Sequence, residues 1–366
     1  MNQLLQKLQI KLPIIQAPMA GVSTPEMASA VSNAGALGSI GIGAVDADGA
    51  LTMIQATRAL TDRPFNVNVF CHYQPGRDAK RESRWLSSLA PHFARFNGEP
   101  PKQLNEIYKS FLYDVPKLEM LLEERPAIVS FHFGLPGRET IQRLKDAGIL
   151  LLASVTNRVE AERVVNAGID AVIAQGYEAG GHRSLFDTTA QDDCLGTIAL
   201  TRMLVRELEV PIIAAGGIMD GAGIVACLDL GASAAQLGTA FIACPESSAD
   251  QYFREALISG AAYHTVMTRA ISGREARCLA NNFTAIGLNV ENWQIPDYPV
   301  AYDAAKALHA LASKEDEGGF GAQWAGQGAP LARSIPAAEL IAQLELEMVQ
   351  ALKQPRQDLA DIPNTH

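Results

Sequence analysis

"PIIAAGGIMDGAGIVACLDLGASAAQLGTAF", residues 211–241, contains two apolar runs with glycines at their ends. Pro211–Ala215 and Ala234–Phe241 read as parallel strands, because strands covered on both faces show near-continuous hydrophobic sequence. Gly216 and Gly217 follow the first run, and Gly238 and Thr239 interrupt the second. In a (β/α)8 barrel the loops after strands seven and eight often bind phosphate, and glycine lets backbone N–H groups come close to it. Glycines that only make tight turns would leave the same trace. A phosphate site alone would not choose between one phosphorylated ligand and another.

Six more runs of the same kind precede this stretch: Pro13–Pro18, Leu37–Ile42, Phe65–Phe70, Ala127–Phe131, Ile149–Val155 and Asp170–Gln175. Helix-like segments such as Thr24–Asn33, Arg138–Asp146 and Arg158–Asn166 separate them. Thr24 directly before Pro25 reads as an N-cap followed by proline at the first helical position. "NAGA" (Asn33–Ala36), "DAGI" (Asp146–Ile149) and "NAGI" (Asn166–Ile169) repeat one device, a glycine just past a helix end with a strand following. Eight βα units predict an α/β fold, a (β/α)8 TIM barrel over residues 1–260, with an open doubly wound sheet as the alternative. Two regions break the repeat. Residues 74–124 read as a helical insertion. Residues 261–366 read as a C-terminal extension packed on the barrel mouth; it includes the loop "DEGGFGAQWAGQGAP" (Asp316–Pro330) and an amphipathic helix around Ala337–Lys353.

Composition narrows the function classes. With 366 residues, 48% of them hydrophobic, the chain can bury a large core. A net charge of −10 argues against a nucleic-acid surface. It does not exclude an anionic ligand, since the field in a cleft can oppose the global charge. The five cysteines are scattered and form no CxxC pair, so they read as free thiols in a reducing compartment. No run reaches the ~18 apolar residues of a membrane span, and the N-terminus shows no secretory pattern. A soluble cytoplasmic protein is the expectation.

Barrel active sites gather at the C-terminal ends of strands. Asn68 and Gln175 are amides inside apolar runs, where a buried amide needs partners; a flavin ring edge or the protein itself could supply them. His132 and His182 stand at strand ends, and His182 follows two glycines that let its loop approach a ligand. His72 lies two residues past a strand and is less placed. His92, His264, His309 and His366 read as structural or surface residues. No HExxH or CxxC occurs, so no metal is expected. No Gly-x-Ser-x-Gly elbow occurs either, and "GALGSIGIG" (Gly35–Gly43) lacks the context of a dinucleotide fingerprint.

Taken together, "QAPMAGVSTPEMASAVSNAGALGSIG" (residues 16–41), "FNVNVF" (65–70), "SFHFG" (130–134), "AQGYEAGGHRS" (174–184), "AAGGI" (214–218), "QLGTAF" (236–241) and "DYPVAYDAAK" (297–306) resemble the class I nitronate monooxygenase family, formerly called 2-nitropropane dioxygenases. The resemblance spans most of the chain; the one departure is Ser184, where a glycine is common. It implies a bound FMN, held against Met19, Asn68, Gln175, Gly180, Gly217, Gln236, Leu237, Gly238 and Thr239. It implies a small anionic nitronate as substrate, with propionate 3-nitronate the family-level expectation, and O2 as co-substrate. It places that substrate near His132, His182, Tyr108, Tyr298, Tyr302 and Lys306, giving a carbonyl compound and nitrite. His182 would either take a proton from a neutral nitroalkane or only hold the anion. Tyr298, Tyr302 and Lys306 share one face if their segment is helical; such a stripe is often packing alone. The expected assembly is a monomer or homodimer without nucleic-acid or membrane partners.

Related flavin barrels share the glycines and the "EAGGH" segment. An NAD(P)H-dependent quinone reductase or enoyl-acyl carrier protein reductase is therefore the alternative, and NADH would then reduce the flavin directly. A flavin-free sugar-phosphate isomerase, a dehydrogenase with a reactive cysteine after strand six, and a non-catalytic flavin-binding protein fit the residues less well.

Overall fold

A computed structural model describes residues 2–353; His366, expected to be structural or at the surface, lies outside them. Eight parallel strands form the barrel: β1 (Ile14–Gln16), β2 (Gly38–Gly41), β3 (Phe65–Phe70), β4 (Ile128–His132), β5 (Leu150–Val155), β6 (Ala171–Gln175), β7 (Ile212–Ala215) and β8 (Ala234–Leu237). Each pairs with its neighbour in sequence, and β8 pairs with β1. A parallel bridge between Ile15 and Leu37 joins β1 to β2 and closes the ring. The open-sheet alternative is thereby excluded.

The predicted local signals act as read. Thr24 Oγ1 accepts from the Met27 N–H (3.1 Å) and starts the helix Pro25–Asn33. Gly35, Gly148 and Gly168 all have positive φ, the left-handed backbone a helix stop needs. One strand boundary differs. The predicted strand Ala234–Phe241 ends at Leu237, and Thr239–Ile242 turns into a short helix. The reason lies in the partner strand: β1 ends at Gln16, opposite Leu237, so no ladder remains beyond that pair.

The helical layer is less contiguous in sequence than the strands. Helix Val115–Glu124 packs on Ala47–Leu60 and Arg138–Asp146, so it is the ring helix between β3 and β4, although it falls within the predicted insertion. The terminal helix Ala337–Lys353 packs on Gly221–Asp229 and Pro25–Asn33. It flanks the barrel as the helix after β8, and does not cover the mouth. The stretch between β8 and that helix is what reaches over the strand ends. Its helix Val300–Ala312 packs against Ala79–Ala94 of the insertion, burying Trp85, Phe93 and Leu308 between them.

The two ends of the barrel differ. At the N-terminal end Leu4 and Leu8 of helix Gln3–Leu8 plug the interior against Ile15, Leu37, Ile128, Leu152, Ile173 and Ile213. Each buried leucine contributes roughly 1.5–3 kcal/mol. The C-terminal end has no such plug.

Candidate active site

A cavity opens where the C-terminal ends of the strands converge. Asn68, Ser130, Ser154, Gln175, Ala215 and Gln236 reach it from the strands, and it encloses about 1300 Å³ counting its open rim.

One end is built from glycine loops. Gly217, with φ +70°, is held in a conformation that costs other residues ~1–2 kcal/mol. At Gly180 a Cβ would stand 2.5 Å from the Gly326 nitrogen, so the crossing of residues 324–328 over the strand-six loop requires glycine there. The Gly326 N–H donates to Thr239 Oγ1 (3.0 Å), and the Gln327 N–H to the Glu178 carbonyl (2.9 Å). Gly238 has room for a side chain, with its nearest neighbours at 3.4 Å and 3.7 Å. Met19, Gly180, Gly217, Gly238 and Thr239 line the cavity. Leu237 does not: its side chain lies in the core between strands and outer helices, and its carbonyl accepts from the Ala17 N–H (2.8 Å).

The floor carries amides with different fates. Gln175 is fully engaged: its Nε2 donates to the His182 carbonyl (3.0 Å) and its Oε1 accepts from the Ser184 N–H (2.8 Å). It therefore positions the strand that bears His182. Ser184 itself is buried and donates to the Ser154 carbonyl (3.1 Å). Asn68 donates to Ser130 Oγ (2.9 Å) and the Ser130 carbonyl (3.1 Å). Gln236 Oε1, by contrast, is buried without any hydrogen-bond partner. An orphaned buried acceptor costs ~1–3 kcal/mol, and this one belongs to a residue of the cavity wall.

The other end is aromatic. Tyr108, Tyr298 and Tyr302 meet with ring centroids 5.8 Å and 6.4 Å apart. Tyr298 precedes the helix that carries Tyr302 and Lys306, so the three do not form one helical stripe. The Tyr298 hydroxyl is buried without a partner. Tyr302 accepts from Trp324 Nε1 (3.2 Å) and keeps its own proton to donate. Burial pushes the Tyr108 phenol up to about 12 and raises those of Tyr298 and Tyr302 as well, so all three stay neutral donors. Lys306 does not line the cavity. Its Nζ sits 5.1 Å from the Tyr108 ring centre and 5.5 Å from that of Tyr302, behind both rings.

Both predicted histidines are present, and both are neutral. Strand Gly181–His182 pairs with β10 (Ala276–Leu279), itself antiparallel to β9 (Thr265–Thr268). His182 Nε2 lies 2.9 Å from Ser272 Oγ, in the connection between those two strands. Burial, then the charge of Arg274, holds the His182 ring well below its ordinary 6.5. The same causes push His132 down to about 3; its Nε2 faces the His182 carbonyl at 3.3 Å. His72 packs edge-on against Tyr298 at 5.0 Å, and does not line this cavity.

Ser272, Arg274 and Trp324 were not legible as site residues. The first two sit between short strands of no distinctive pattern, and Trp324 in a glycine-rich loop; only the fold brings them to His182. Among the described residues no cluster of metal-ligating side chains forms, and no helix is long and apolar enough to cross a membrane.

Fold and site together define a barrel enzyme with a cavity where the strand ends converge. Residues 2–347 match the profile of the family described as nitronate monooxygenase. The chain is 60% identical to a nitronate monooxygenase of Paraburkholderia phytofirmans over 97% of each chain. It is 53% identical to one of Pseudomonas aeruginosa, over 93% of this chain and 97% of that one. It is also similar to the crystal structure of a nitroalkane oxidase from Streptomyces ansochromogenes, with a TM-score of 0.87 and 40% identity over 95% and 98% of the two chains. The chain belongs to the nitronate monooxygenase family, and is an oxidoreductase.

Proposed function

We propose that the protein binds FMN in the cavity and oxidises small nitronates with O2. The observation that carries this reading is a pair of orphaned polar atoms on residues lining the cavity, an acceptor at Gln236 Oε1 toward its glycine end and a donor at the Tyr298 hydroxyl toward its aromatic end. The acceptor suits a ring N–H and the donor suits an anion.

The residues present fit FMN. A flavin ring edge offers an N–H between two carbonyls, which Gln236 would meet. Gly217, Gly238 and Thr239 would receive the phosphate, in the loops after β7 and β8 where barrels commonly bind one. Once bound, FMN would supply the electron acceptor, leaving binding and electrostatics to the protein.

A nitronate spreads one negative charge over two oxygens. Tyr298 would donate to one of them, and Tyr108 and Tyr302 offer further neutral donors. Lys306 behind the rings favours the anion without being desolvated against it. Hydrogen bonds to charged groups contribute ~1.5–3 kcal/mol, so the phenols alone would hold a small anion. With the Ser272 hydroxyl donating to the Arg274 carbonyl (3.2 Å), His182 Nε2–H donates to Ser272 and Nδ1 keeps the lone pair.

A second reading is that neutral nitroalkanes are used too, as the description of the Streptomyces relative suggests for that enzyme. The depressed basicity of His182 opposes it, because an effective base needs a pKa near the working pH. Oxygen uptake and nitrite release should be measured with ethylnitronate, with nitroethane, and with NADH alone. Turnover of the nitronate well above that of nitroethane is expected. Oxygen uptake driven by NADH alone would favour the reductase alternative.

A further inference from the structure

Behind the aromatic wall lies a second cavity, about 1310 Å³ counting its open rim, and among the described residues Tyr298 is the one that lines both. His72 separates the two: its ring stands 5.0 Å from Tyr298 and 6.3 Å from Phe133. Three arginines face the second cavity: Arg274, buried; Arg269, half-buried; and Arg163, exposed.

Arg274 is the unusual one. It is 5% exposed, and its guanidinium lies 4.0 Å over the Phe133 ring. Its Nη2 donates to the Leu185 carbonyl, and its Nε to the Arg183 carbonyl at 3.4 Å. Both acceptors are neutral, so they fix the fork without cancelling its charge. Burial lowers its pKa only to about 10, which leaves it a cation at neutral pH. Carboxylates act on these arginines from a distance: Glu160 on Arg274, Glu275 on Arg269 and Asp187 on Arg163. Arg269 adds a buried Nε without a partner.

Two carboxylates share the cavity lining, and each has other hydrogen-bond partners, although Asp187 also feels the charge of Arg163. Asp297 pairs with Arg81 (3.1 Å) and accepts from the Gly76 N–H. Asp187 accepts from the Thr189 N–H and hydroxyl. The buried charge of Arg274 is offset only from a distance, by Glu160, and it borders an open cavity.

We infer that this second cavity binds a small planar oxyanion of the carboxylate or nitrite type, with Arg274 at its inner wall and Arg269 and Arg163 at its mouth. Both ions carry one charge over two coplanar oxygens, which matches the guanidinium fork. The inference does not depend on the proposed oxidation. An anion there would nonetheless be felt in the first cavity, since the charge of Arg274 is, after burial, the main cause that keeps His72, His132 and His182 neutral.

The test is calorimetric titration of the flavin-loaded protein with sodium acetate and, separately, sodium nitrite, at fixed ionic strength against a sodium chloride control. The expected result is saturable binding of one or both, weakened at least ~10-fold by Arg269→Gln and by Arg274→Lys, the loss expected for a charge-assisted hydrogen bond. Lys306→Met, a change at a residue that lines neither cavity and lies behind the first, should leave the affinity unchanged. Arg269→Gln keeps the test meaningful if Arg274→Lys does not fold. Tighter nitrite would make the product of the proposed reaction the ligand; tighter acetate would make it a separate carboxylate. No uptake beyond the chloride control would overturn the inference. So would binding that Lys306→Met abolishes and Arg269→Gln leaves intact.

Discussion

The two ends of the main cavity are built in opposite ways. The glycine end comes largely from residues 211–241, two adjacent strands and the loops that follow them. Apart from the Gln236 side chain, the groups proposed to recognise a ligand there are backbone, in loops kept open by glycine. The aromatic end is assembled from Tyr108 in the insertion, His132 and His182 at strand ends, and Tyr298, Tyr302 and Trp324 in the tail. Its recognition groups are side chains kept neutral by burial. A barrel can thus keep one cofactor-sized cradle while the chemistry is set by segments outside the βα repeat.

If that division is sound, changes at the aromatic end should cost turnover and spare flavin. His182→Ala should lower kcat/KM for ethylnitronate by ~10²-fold, because the Tyr298 and Trp324 rings packed on the imidazole lose their placement, with flavin content per chain unchanged. Loss of flavin from this variant would break the comparison. Tyr298→Phe removes the orphaned hydroxyl alone. A fall of roughly 10- to 150-fold is expected, from ~1.5–3 kcal/mol for a hydrogen bond to an anion, again with flavin retained. At the other end Gln236→Leu should behave in reverse. FMN should dissociate up to ~10-fold more readily, measured by fluorescence of released flavin, and the flavin-saturated variant should turn over normally.

The smallest effect concerns acid stability. His72 and His132 are pushed down to about 4 and about 3, and His182 lies well below 6.5. Unfolding restores their ordinary basicity near ~6.5, so the unfolded chain binds protons that the folded one refuses. Their neutrality is without cost above ~pH 6.5, and stability is lost as pH falls from there toward the folded values. Thermal unfolding between pH 7 and pH 5 should show a falling midpoint, and His132→Asn should flatten that slope. An unchanged slope would contradict burial as the cause.

The same division explains what could be read from the sequence. The barrel was legible because each strand carries its own apolar run and three helices carry their own glycine stop. Gly217 and Thr239 were legible because their setting is local. Leu237 was misplaced because alternate residues of a strand face opposite sides, and it is Gln236 that points inward. The terminal helix was readable as a helix, but not its place on the flank, since nothing in Ala337–Lys353 names Gly221–Asp229 as its neighbour. Lys306 and Tyr302 share a helix face as spaced, yet only the fold shows the lysine behind the ring. Ser272 and Arg274 left no local signal at all, because their roles exist only once the tail strand Ala276–Leu279 pairs with His182.

The most direct test is the anaerobic absorbance spectrum of the purified protein, recorded before and after ethylnitronate, with NADH added to a parallel sample. A yellow protein whose flavin bands change with the nitronate and ignore NADH is the expected result. A colourless protein that takes up no added FMN, or a flavin that responds to NADH and not to the nitronate, would contradict the account.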